Sequence, residues 1–321
     1  MVNIDLKDRR ILYELDINSR QSYNKIAKNV GLSKDSVIYR IKNLQAAGII
    51  KQFHTIIDVG KLGYISYRLY LKLQNTTPEK EEEIIEFIKN QKVVGWLVSI
   101  DGEYDLGMWI LAKSVKEANQ FWKALLRKYV NYFAARALTT FTKVAYFPRA
   151  YLLEQEQNQE EYVFVTEPEE IPLDEKDKAI LEVLAPNARL PILDIAKKLG
   201  ITPKTAAARI RELEKKKVII GYRTMFDLEK LGYHYFKVHF LLHNVTEEKE
   251  RALRQFIKQH PNIIFDNEVL GGDDIEIEIQ VNDLNELRKI ITQMKEQYGE
   301  IIKESKRLFF YKEHKFLFLP V

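Results

Sequence analysis

Apolar and polar residues alternate over the first thirty positions with the spacing of short helices. Leu12 and Leu15 fall on one face of a first helix, which a break at Asn18 ends. Ile26 and Val30 fall on one face of a second, shorter helix. The pattern therefore predicts two helices before residue 31.

A glycine turn then leads into a third predicted helix. Gly31 can adopt the positive φ that a tight turn between helices requires, and Ser33 is suited to cap a helix N-terminus. The third helix carries three inward-facing apolar residues, Val37, Ile41 and Leu44. Gly48 fits its C-terminal end, and residues 49–57 have the pattern of a strand.

The following stretch predicts a β-α-β-β-α-β unit. Its apolar residues alternate with period two in the strands and recur at helical spacing in the helices. The predicted elements are a strand at 65–74, a helix from 77, strands at 93–100 and 106–112, a helix from 114 and a strand at 136–147. This is the order of a ferredoxin-like domain, with both helices on one face of an antiparallel sheet. The other face must be covered, so we expect the sheets of two copies to pair, within a chain or between chains.

The chain repeats itself at a shift of 169 residues. Between residues 11 and 64, 19 of 54 positions are identical to the positions 169 further on, with no gap. About three or four identities would arise by chance at typical residue frequencies. Two copies of the same architecture therefore account for most of the chain, which indicates a tandem duplication.

The second copy predicts the same elements with local differences. Gly200 makes the turn, Thr202 caps the third helix and Pro203 takes its first position. Lys217 stands where the first copy has Gly48, and because a left-handed lysine costs about 1 kcal/mol we expect this turn to differ. The predicted sheet elements are a strand at 234–243, a helix at 246–259, strands at 263–270 and 275–281, a helix at 283–298 and a strand at 301–312.

The predicted fold class is α+β, with two copies of a winged helix-turn-helix plus a ferredoxin-like βαββαβ domain. The predicted domains are a first head at 1–58, a first ferredoxin-like domain at 59–148, an acidic linker at 149–173, a second head at 174–227 and a second ferredoxin-like domain at 228–321.

Charge is distributed unevenly along the 321 residues. Residues 1–55 hold ten Lys or Arg against five Asp or Glu, and residues 174–224 hold twelve against seven, so each segment carries +5. Residues 150–173 hold seven Glu and no Lys or Arg. Two cationic heads joined by an acidic linker favour polyanion binding, because neutralised phosphates release counterions.

A short helix, a glycine turn and a capped helix form the helix-turn-helix plan, in which the last helix enters the major groove of DNA. We therefore predict that the exposed residues of both third helices bind double-stranded DNA. In the first head these are Ser33, Lys34, Asp35, Ser36, Tyr39, Arg40 and Lys42, and in the second Thr202, Lys204, Thr205, Ala208, Arg209 and Arg211. The four residues suited to phosphate contacts are Arg40, Lys42, Arg209 and Arg211.

Several short motifs occur at matching positions of the two copies. In the first copy they are RIKNLQAAGII with Asp58, KLG at 61–63 and GEYD at 102–105, and in the second copy RIRELEKKKVI with Asp227, KLG at 230–232 and GGDD at 271–274. Together these motifs resemble the Lrp/AsnC (feast/famine) transcription regulators. Family members usually carry one copy and assemble as dimers or larger rings, so this chain is expected to form a homo-oligomer or an intrachain pseudo-dimer. The resemblance implies DNA-binding heads and a domain that senses an amino acid or other small effector. The implied effector residues are Gly102, Tyr104, Asp105, Gly271, Asp273 and Asp274.

Composition and motifs narrow the remaining chemistry. The chain has no cysteine, so disulfides and thiolate metal sites are excluded, and its polar first residues favour a cytoplasmic protein. We predict no catalytic residues, no cofactor, no metal site and no membrane association. His239 and His243 are interpreted as exposed strand histidines, and the acid cluster at 273–278 as a solvated strand face.

Two alternatives remain open. The sirohaem decarboxylases resemble the same family in layout, although no haem-site motif is found in this sequence. The second alternative is an architectural protein that compacts DNA without sequence choice.

Overall fold

The structure, a computed structural model, describes residues 4–154, 161–164 and 168–319. The first half begins with a three-helix head and continues into the predicted βαββαβ order. Its elements are α1 (Leu6–Ile17), α2 (Tyr23–Val30), α3 (Lys34–Ala46), β1 (Ile50–Ile57), β2 (Ile65–Leu73), α4 (Pro78–Lys89), β3 (Val94–Asp101), β4 (Leu106–Ala112), α5 (Val115–Tyr129), β5 (Phe133–Tyr146) and the short linker strand β6 (Tyr162–Phe164).

The second half repeats this order, which confirms the duplication predicted from the sequence. Its elements are α6 (Glu175–Leu184), α7 (Ile192–Leu199), α8 (Pro203–Lys215), β7 (Ile219–Phe226), α9 (Leu228–Leu231), β8 (His234–Leu242), α10 (Glu247–Gln259), β9 (Ile263–Leu270), β10 (Ile275–Val281), α11 (Leu284–Tyr298) and β11 (Ile302–Phe316). Within the described ranges, no helix is both long and apolar enough to cross a membrane.

The turns of the two heads follow the local sequence signals. Gly31 and Gly200 both adopt the left-handed conformation, with φ of 69° and 63°, where the second helix of each head ends. The expectation that the turn at Lys217 differs from that at Gly48 is wrong. Lys217 has a φ of 57° against 70° for Gly48, so the lysine adopts the same left-handed turn. The packed helix and strand on either side fix the turn more strongly than the local preference of lysine opposes it.

The two heads are joined by a sheet of their own. Strands β1 and β7 pair antiparallel, with His54 opposite Arg223. Because these two positions are related by the 169-residue repeat, the approximate twofold axis of the molecule passes between them. The wings of both heads therefore pair with each other inside one chain.

The two ferredoxin-like sheets close into a ring of eight antiparallel strands. The first sheet has the order β5-β2-β4-β3 and the second the order β11-β8-β10-β9. The edges then join, since β5 pairs with β9 and β11 pairs with β3. Sheet-to-sheet pairing was predicted, but the edge pairing that removes all four free edges was not.

Helices cover the outer face of each sheet. Ile84 and Ile88 of α4 and Leu125 of α5 pack on the first sheet, and Ile257 of α10 and Ile290 of α11 pack on the second. All five side chains are buried. The inner faces of the two sheets therefore meet in the middle of the chain, as the pseudo-dimer expectation requires.

The interior between the sheets is polar, which corrects one prediction. Glu276 and Glu278 were expected on a solvated strand face, but they are 1% and 3% exposed. Both point inward to Lys237, whose Nζ lies 2.8 Å from Glu276 Oε2 and 3.2 Å from Glu278 Oε1. The strand β10, in which Ile and Glu alternate, is thus buried on both faces, and its carboxylates form ion pairs with Lys237.

Asp16 in the first head holds a second buried charge network. Its carboxylate accepts from Arg149 Nη1 at 2.5 Å and from Arg223 Nη2 at 2.7 Å, and all three side chains are buried. Arg149 also donates from Nε to Gln280 Oε1 at 3.0 Å. The network therefore ties α1 of the first head to the wing and the sheet of the second half.

Candidate nucleic-acid interface

The third helix of each head is built to present its outer face. Ser33 Oγ accepts from the backbone N–H of Ser36 at 3.2 Å, and Thr202 Oγ1 accepts from that of Thr205 at 3.1 Å. These caps satisfy one backbone donor at each N-terminus and fix where the helix begins. The buried faces are those predicted from the sequence, namely Val37, Ile41 and Leu44 in α3 and Ala206, Ile210 and Leu213 in α8.

The outer face of α3 is polar and aromatic. Lys34, Asp35 and Lys42 are exposed, Ser36 is half-buried, and Tyr39 is 67% exposed. Its ring is therefore free to stack on a partner, and its hydroxyl can form a hydrogen bond. The first head therefore presents a surface with hydrogen-bonding, cationic and stacking groups.

The outer face of α8 is smaller and less varied. Lys204, Ala208 and Arg211 are exposed, and Thr205 is half-buried with its Oγ1 2.8 Å from Oγ1 of Thr202. Ala208 occupies the position of Tyr39 in the repeat. The two heads thus share a frame but differ in the groups they can offer to base edges.

Arg40 and Arg209 have internal partners, which changes the role expected for them. Arg40 Nη1 lies 2.7 Å from Asp8 Oδ1 and 2.9 Å from Asp5 Oδ2, at the N-terminus of α1. The Asp8 backbone N–H and the Arg40 guanidinium together lower the pKa of Asp5. Each arginine therefore links its recognition helix to the first helix of the head, and we expect this structural role in place of the phosphate contact predicted from the sequence.

The second head repeats this arrangement. Arg209 Nη1 lies 2.7 Å from Asp177 Oδ1 and 2.8 Å from Asp174 Oδ2. Backbone N–H groups, that of Asp177 first, and the Arg209 guanidinium lower the pKa of Asp174. The same two carboxylates at the same repeat positions indicate a shared structural role.

We expect Arg40→Ala to lower the free energy of unfolding by about 1 kcal/mol, because the two ion pairs are only partly buried. It should leave the salt dependence of DNA affinity nearly unchanged. Denaturant unfolding and affinity measured against salt check the two parts. Arg209→Ala is the matched variant in the second head. A drop of about one unit in the salt slope would instead support direct phosphate contact.

The two heads contact each other through reciprocal hydrogen bonds from two arginines. Arg20 Nη1 donates to the backbone carbonyls of Ala188 and Leu190, the latter at 3.1 Å. Arg189 Nη1 donates to the carbonyls of Ser19 and Gln21, the latter at 3.2 Å. The four acceptors are also related by the repeat.

This contact is isologous, as in a twofold dimer, and it fixes the position of one head relative to the other. Sequence reasoning missed it. The signal available was that Arg20 and Arg189 are identical across the repeat although neither belongs to an apolar face.

The turns predicted to bind an effector lie between the two halves. A Cβ on Gly102 would come within 3.0 Å of the Arg307 carbonyl oxygen on β11, and one on Gly272 within 2.9 Å of Thr139 Cγ2 on β5. Each turn therefore packs against the last strand of the other half. A change at either turn would act directly on the contact between the halves.

Two of the predicted effector carboxylates already serve the backbone. Asp105 Oδ2 accepts from the N–H of Leu73 at 2.6 Å, and Asp274 Oδ2 accepts from the N–H of Leu242 at 2.7 Å. Asp105 also pairs with Lys72 Nζ at 2.7 Å. Both aspartates thus hold the turn against the end of the first strand.

The remaining predicted effector residues lie beside these turns. Tyr104 stacks on Tyr70 with ring centroids 5.1 Å apart. Asp273 Oδ2 lies 3.1 Å from His239 Nδ1, and this contact is the main reason that the pKa of Asp273 is lowered. Gly271, by contrast, is exposed.

His239 is buried, so its interpretation as an exposed strand histidine is wrong, whereas His243 is exposed beyond the end of β8. Among the described residues, no cluster of three or more His, Asp or Glu side chains is arranged to hold a metal ion.

Comparison with known proteins matches both heads to one family. The AsnC-type helix-turn-helix domain matches residues 4–45 and again residues 173–214. The chain is 32% identical over 122 residues to the proline dehydrogenase transcriptional activator of Rhodobacter capsulatus, covering 37% of this chain and 78% of that protein. The present chain therefore belongs to the Lrp/AsnC family of transcription regulators.

Other Lrp/AsnC relatives align in the same way. The HTH-type transcriptional regulator Ptr1 of Methanocaldococcus jannaschii is 31% identical over 121 residues, covering 37% of this chain and 78% of Ptr1. LrpA of Pyrococcus horikoshii is 48% identical over 61 residues, covering 19% of this chain and 43% of LrpA. The alignments with the activator and with Ptr1 cover most of each relative but little more than a third of this chain, as expected if this chain contains two family units.

A solved structure shares the fold of the whole chain. The sirohaem decarboxylase NirDL aligns over 98% of this chain and 94% of its own, with a TM-score of 0.64 and 15% identity. At this identity the likeness concerns the fold alone. The two-unit fold of this chain therefore also occurs in another solved chain.

Proposed function

We propose that one chain binds duplex DNA with both heads at once, as an intramolecular counterpart of a regulator dimer. The observation that carries this proposal is the reciprocal contact of Arg20 and Arg189, which holds the heads in a fixed twofold relation. The pairing of β1 with β7 supports the same arrangement. Heads fixed in this way engage two half-sites at one spacing, because half-site separation follows the geometry of the protein.

The exposed groups suggest how the contacts are divided. At the N-terminal ends of the helices, the groups that reach toward base edges are Ser33, Lys34, Asp35, Ser36 and Tyr39 in the first head and Thr202, Lys204, Thr205 and Ala208 in the second. Lys42 and Arg211 lie further along and have no ion-pair partner among the described residues, so both are available to phosphates. Since Ala208 offers no hydrogen bond, the second head should discriminate less between bases than the first.

Selection of bound fragments from a random DNA pool tests the proposal. We expect enriched sequences with two half-sites at a constant spacing, one strongly and one weakly specified. The selection should be run at about 50 and 200 mM salt, because non-specific binding falls away first as salt rises. A single half-site would contradict joint binding by the heads. Uniform recovery of all sequences would favour an architectural DNA-compacting protein.

A small effector is proposed to act at the turns 102–105 and 271–274. Each turn contacts the last strand of the other half, so a ligand there would bias the packing of the halves and hence the heads. We expect one or more amino acids at millimolar concentration to change DNA affinity, and Tyr104→Ala to remove this response when the liganded variant is compared with the unliganded variant. Fluorescence anisotropy with labelled DNA measures both. An unaltered response in Tyr104→Ala would contradict a role for this turn.

We further propose that the chain regulates without catalysis, acting in the cytoplasm as predicted from the sequence. The sirohaem decarboxylase alternative draws support only from the shared fold. We expect no absorbance shift when haem or sirohaem is added to the protein, and such a shift would favour the enzyme.

A further inference from the structure

The inner faces of the two sheets and the strands β1 and β7 line a small cavity, whose mainly aromatic walls carry a few polar groups. Arg68 on β2 and Trp109 on β4 are direct cross-strand partners and line it from the first sheet. Asn267 on β9 and Gln280 on β10 line it from the second. The cavity measures about 100 Å³, and none of the residues of the turns 102–105 or 271–274 lines it.

Unused hydrogen-bond donors converge on this cavity. In the part of the chain that the structure describes, no partner is found for Arg68 Nε and Nη1, Trp109 Nε1, Asn267 Nδ2 or Gln280 Nε2. The four side chains are 6%, 7%, 2% and 0% exposed, so bulk water does not reach them freely. Each unpaired buried donor costs about 1–3 kcal/mol. Five such donors, on four side chains around one space, favour an occupant rich in acceptors.

Neighbouring contacts fix the orientation of these donors. Gln280 Oε1 accepts from Arg149 Nε at 3.0 Å and from the Tyr151 hydroxyl at 2.5 Å, so the amide is held with Nε2 left over. The Arg68 guanidinium stacks on Trp96, 4.3 Å from the ring centre, and its Nη2 lies 3.5 Å from Glu278 Oε1. The free donors are therefore preorganised rather than mobile.

The carboxylates in the cavity wall are already occupied. Glu278 accepts from the Tyr235 hydroxyl and also pairs with Lys237. Glu313 accepts from Trp96 Nε1 at 2.6 Å. Neither carboxylate is left to balance the unused donors, and the buried imidazole of His54 in the same wall is neutral because burial lowers its pKa to about 3. An anionic acceptor would therefore come from outside the chain.

The cavity has a route to solvent. Glu313 lines both the cavity and the surface side, and burial of its carboxylate raises its pKa to about 7. A surface depression of about 500 Å³ adjoins this side and shares five lining residues with the cavity, Trp96, Phe226, Leu228, Tyr235 and Glu313. A small molecule can therefore enter past Glu313 after modest side-chain movement.

We propose that this cavity binds a short-chain carboxylate anion. A cavity of about 100 Å³ suits a small organic anion. Acetate and pyruvate have this size, and carboxylate oxygens accept the charge-assisted hydrogen bonds that Arg68 and its neighbours offer. The site is separate from the proposed effector turns and does not depend on DNA binding.

Gln280→Glu provides the sharpest test, because it keeps the Oε1 acceptor for Arg149 and Tyr151 and replaces the free donor by an oxygen. Sodium acetate and sodium pyruvate are titrated into the full chain by calorimetry, with sodium chloride at equal ionic strength as the reference. We expect saturable binding and a rise in Tm for the wild type, and an affinity lower by at least about tenfold in Gln280→Glu. Asn282→Asp is the matched control. It also converts an amide into a carboxylate, but at an exposed position two residues further along the chain, so this variant should bind carboxylates as the wild type does.

Trp109→Phe provides an independent test of carboxylate binding if Gln280→Glu does not fold. It removes the Nε1 donor and retains most of the ring, so we expect its carboxylate affinity to fall by about tenfold. Absence of binding by either probe to the wild type would overturn the proposal, and so would wild-type affinity in Trp109→Phe or in folded Gln280→Glu. In those cases water satisfies the donors.

Discussion

The double variant Lys42→Ala/Arg211→Ala is expected to lose about two units from the slope of log affinity against log salt concentration. Each side chain is exposed on the outer face of its recognition helix, and neither has an ion-pair partner within the described ranges. Each one would therefore release about one phosphate counterion on binding. The two single variants should each lose about one unit.

Fluorescence anisotropy with a selected operator over a range of salt concentrations measures these slopes. Lys116→Ala is the control, because this lysine is exposed on α5, which packs on the outer face of the first sheet. Its slope should equal that of the wild type. If Arg211→Ala alone left the slope unchanged, the second head would not touch DNA, and the proposal of joint binding would be wrong.

Asp16→Asn is expected to lower the free energy of unfolding by about 3–5 kcal/mol. The substitution preserves shape but removes the only carboxylate that contacts both Arg149 and Arg223 in the described network. Two buried guanidinium groups would then share a low-dielectric site without a counter-ion. Urea unfolding followed by circular dichroism measures the loss.

Asp8→Asn is the matched control on the same helix. Asp8 pairs with Arg40 near the surface, so its replacement should cost about 1 kcal/mol or less. A similarly small effect at Asp16 would mean that water reaches the network and screens the arginines.

The residues at the repeat-related positions suggest a replacement for the whole buried network. The positions related to Asp16, Arg149 and Arg223 hold Ala185, Phe318 and His54. The triple variant Asp16→Ala/Arg149→Phe/Arg223→His copies that set into the charged half, and replacing a whole buried network by packed apolar groups is often neutral or stabilising. We expect the triple variant to be more stable than Asp16→Asn, and the opposite order would mean that the network is needed to hold the halves together.

The predictions about the heads succeeded where the signal was local. Helix caps at Ser33 and Thr202 and turns at Gly31 and Gly200 depend on a few neighbouring residues, so the sequence was sufficient to predict them. Lys217 was the exception. Its left-handed turn is imposed by the packing of the helix before it and the strand after it, which local preference cannot reveal.

The predictions about the interior failed for the opposite reason. The alternation of Ile and Glu along β10 is the same whether the glutamates face water or a lysine on a neighbouring strand. Likewise, nothing near Arg40 in sequence indicates that Asp5 and Asp8 will neutralise it. In both cases the partner is distant in sequence and its position depends on the closed fold.

The sequence by itself determined that this protein contains two AsnC-type units, with capped recognition helices and βαββαβ domains, because periodicity, caps and the repeat are encoded over short distances. Only the tertiary structure decided that the two sheets join at their edges, that the heads hold each other through Arg20 and Arg189, and that unpaired donors surround a cavity between the sheets. These features arise where segments about 169 residues apart meet. Their geometry follows from the packing of two complete halves, which no local pattern specifies.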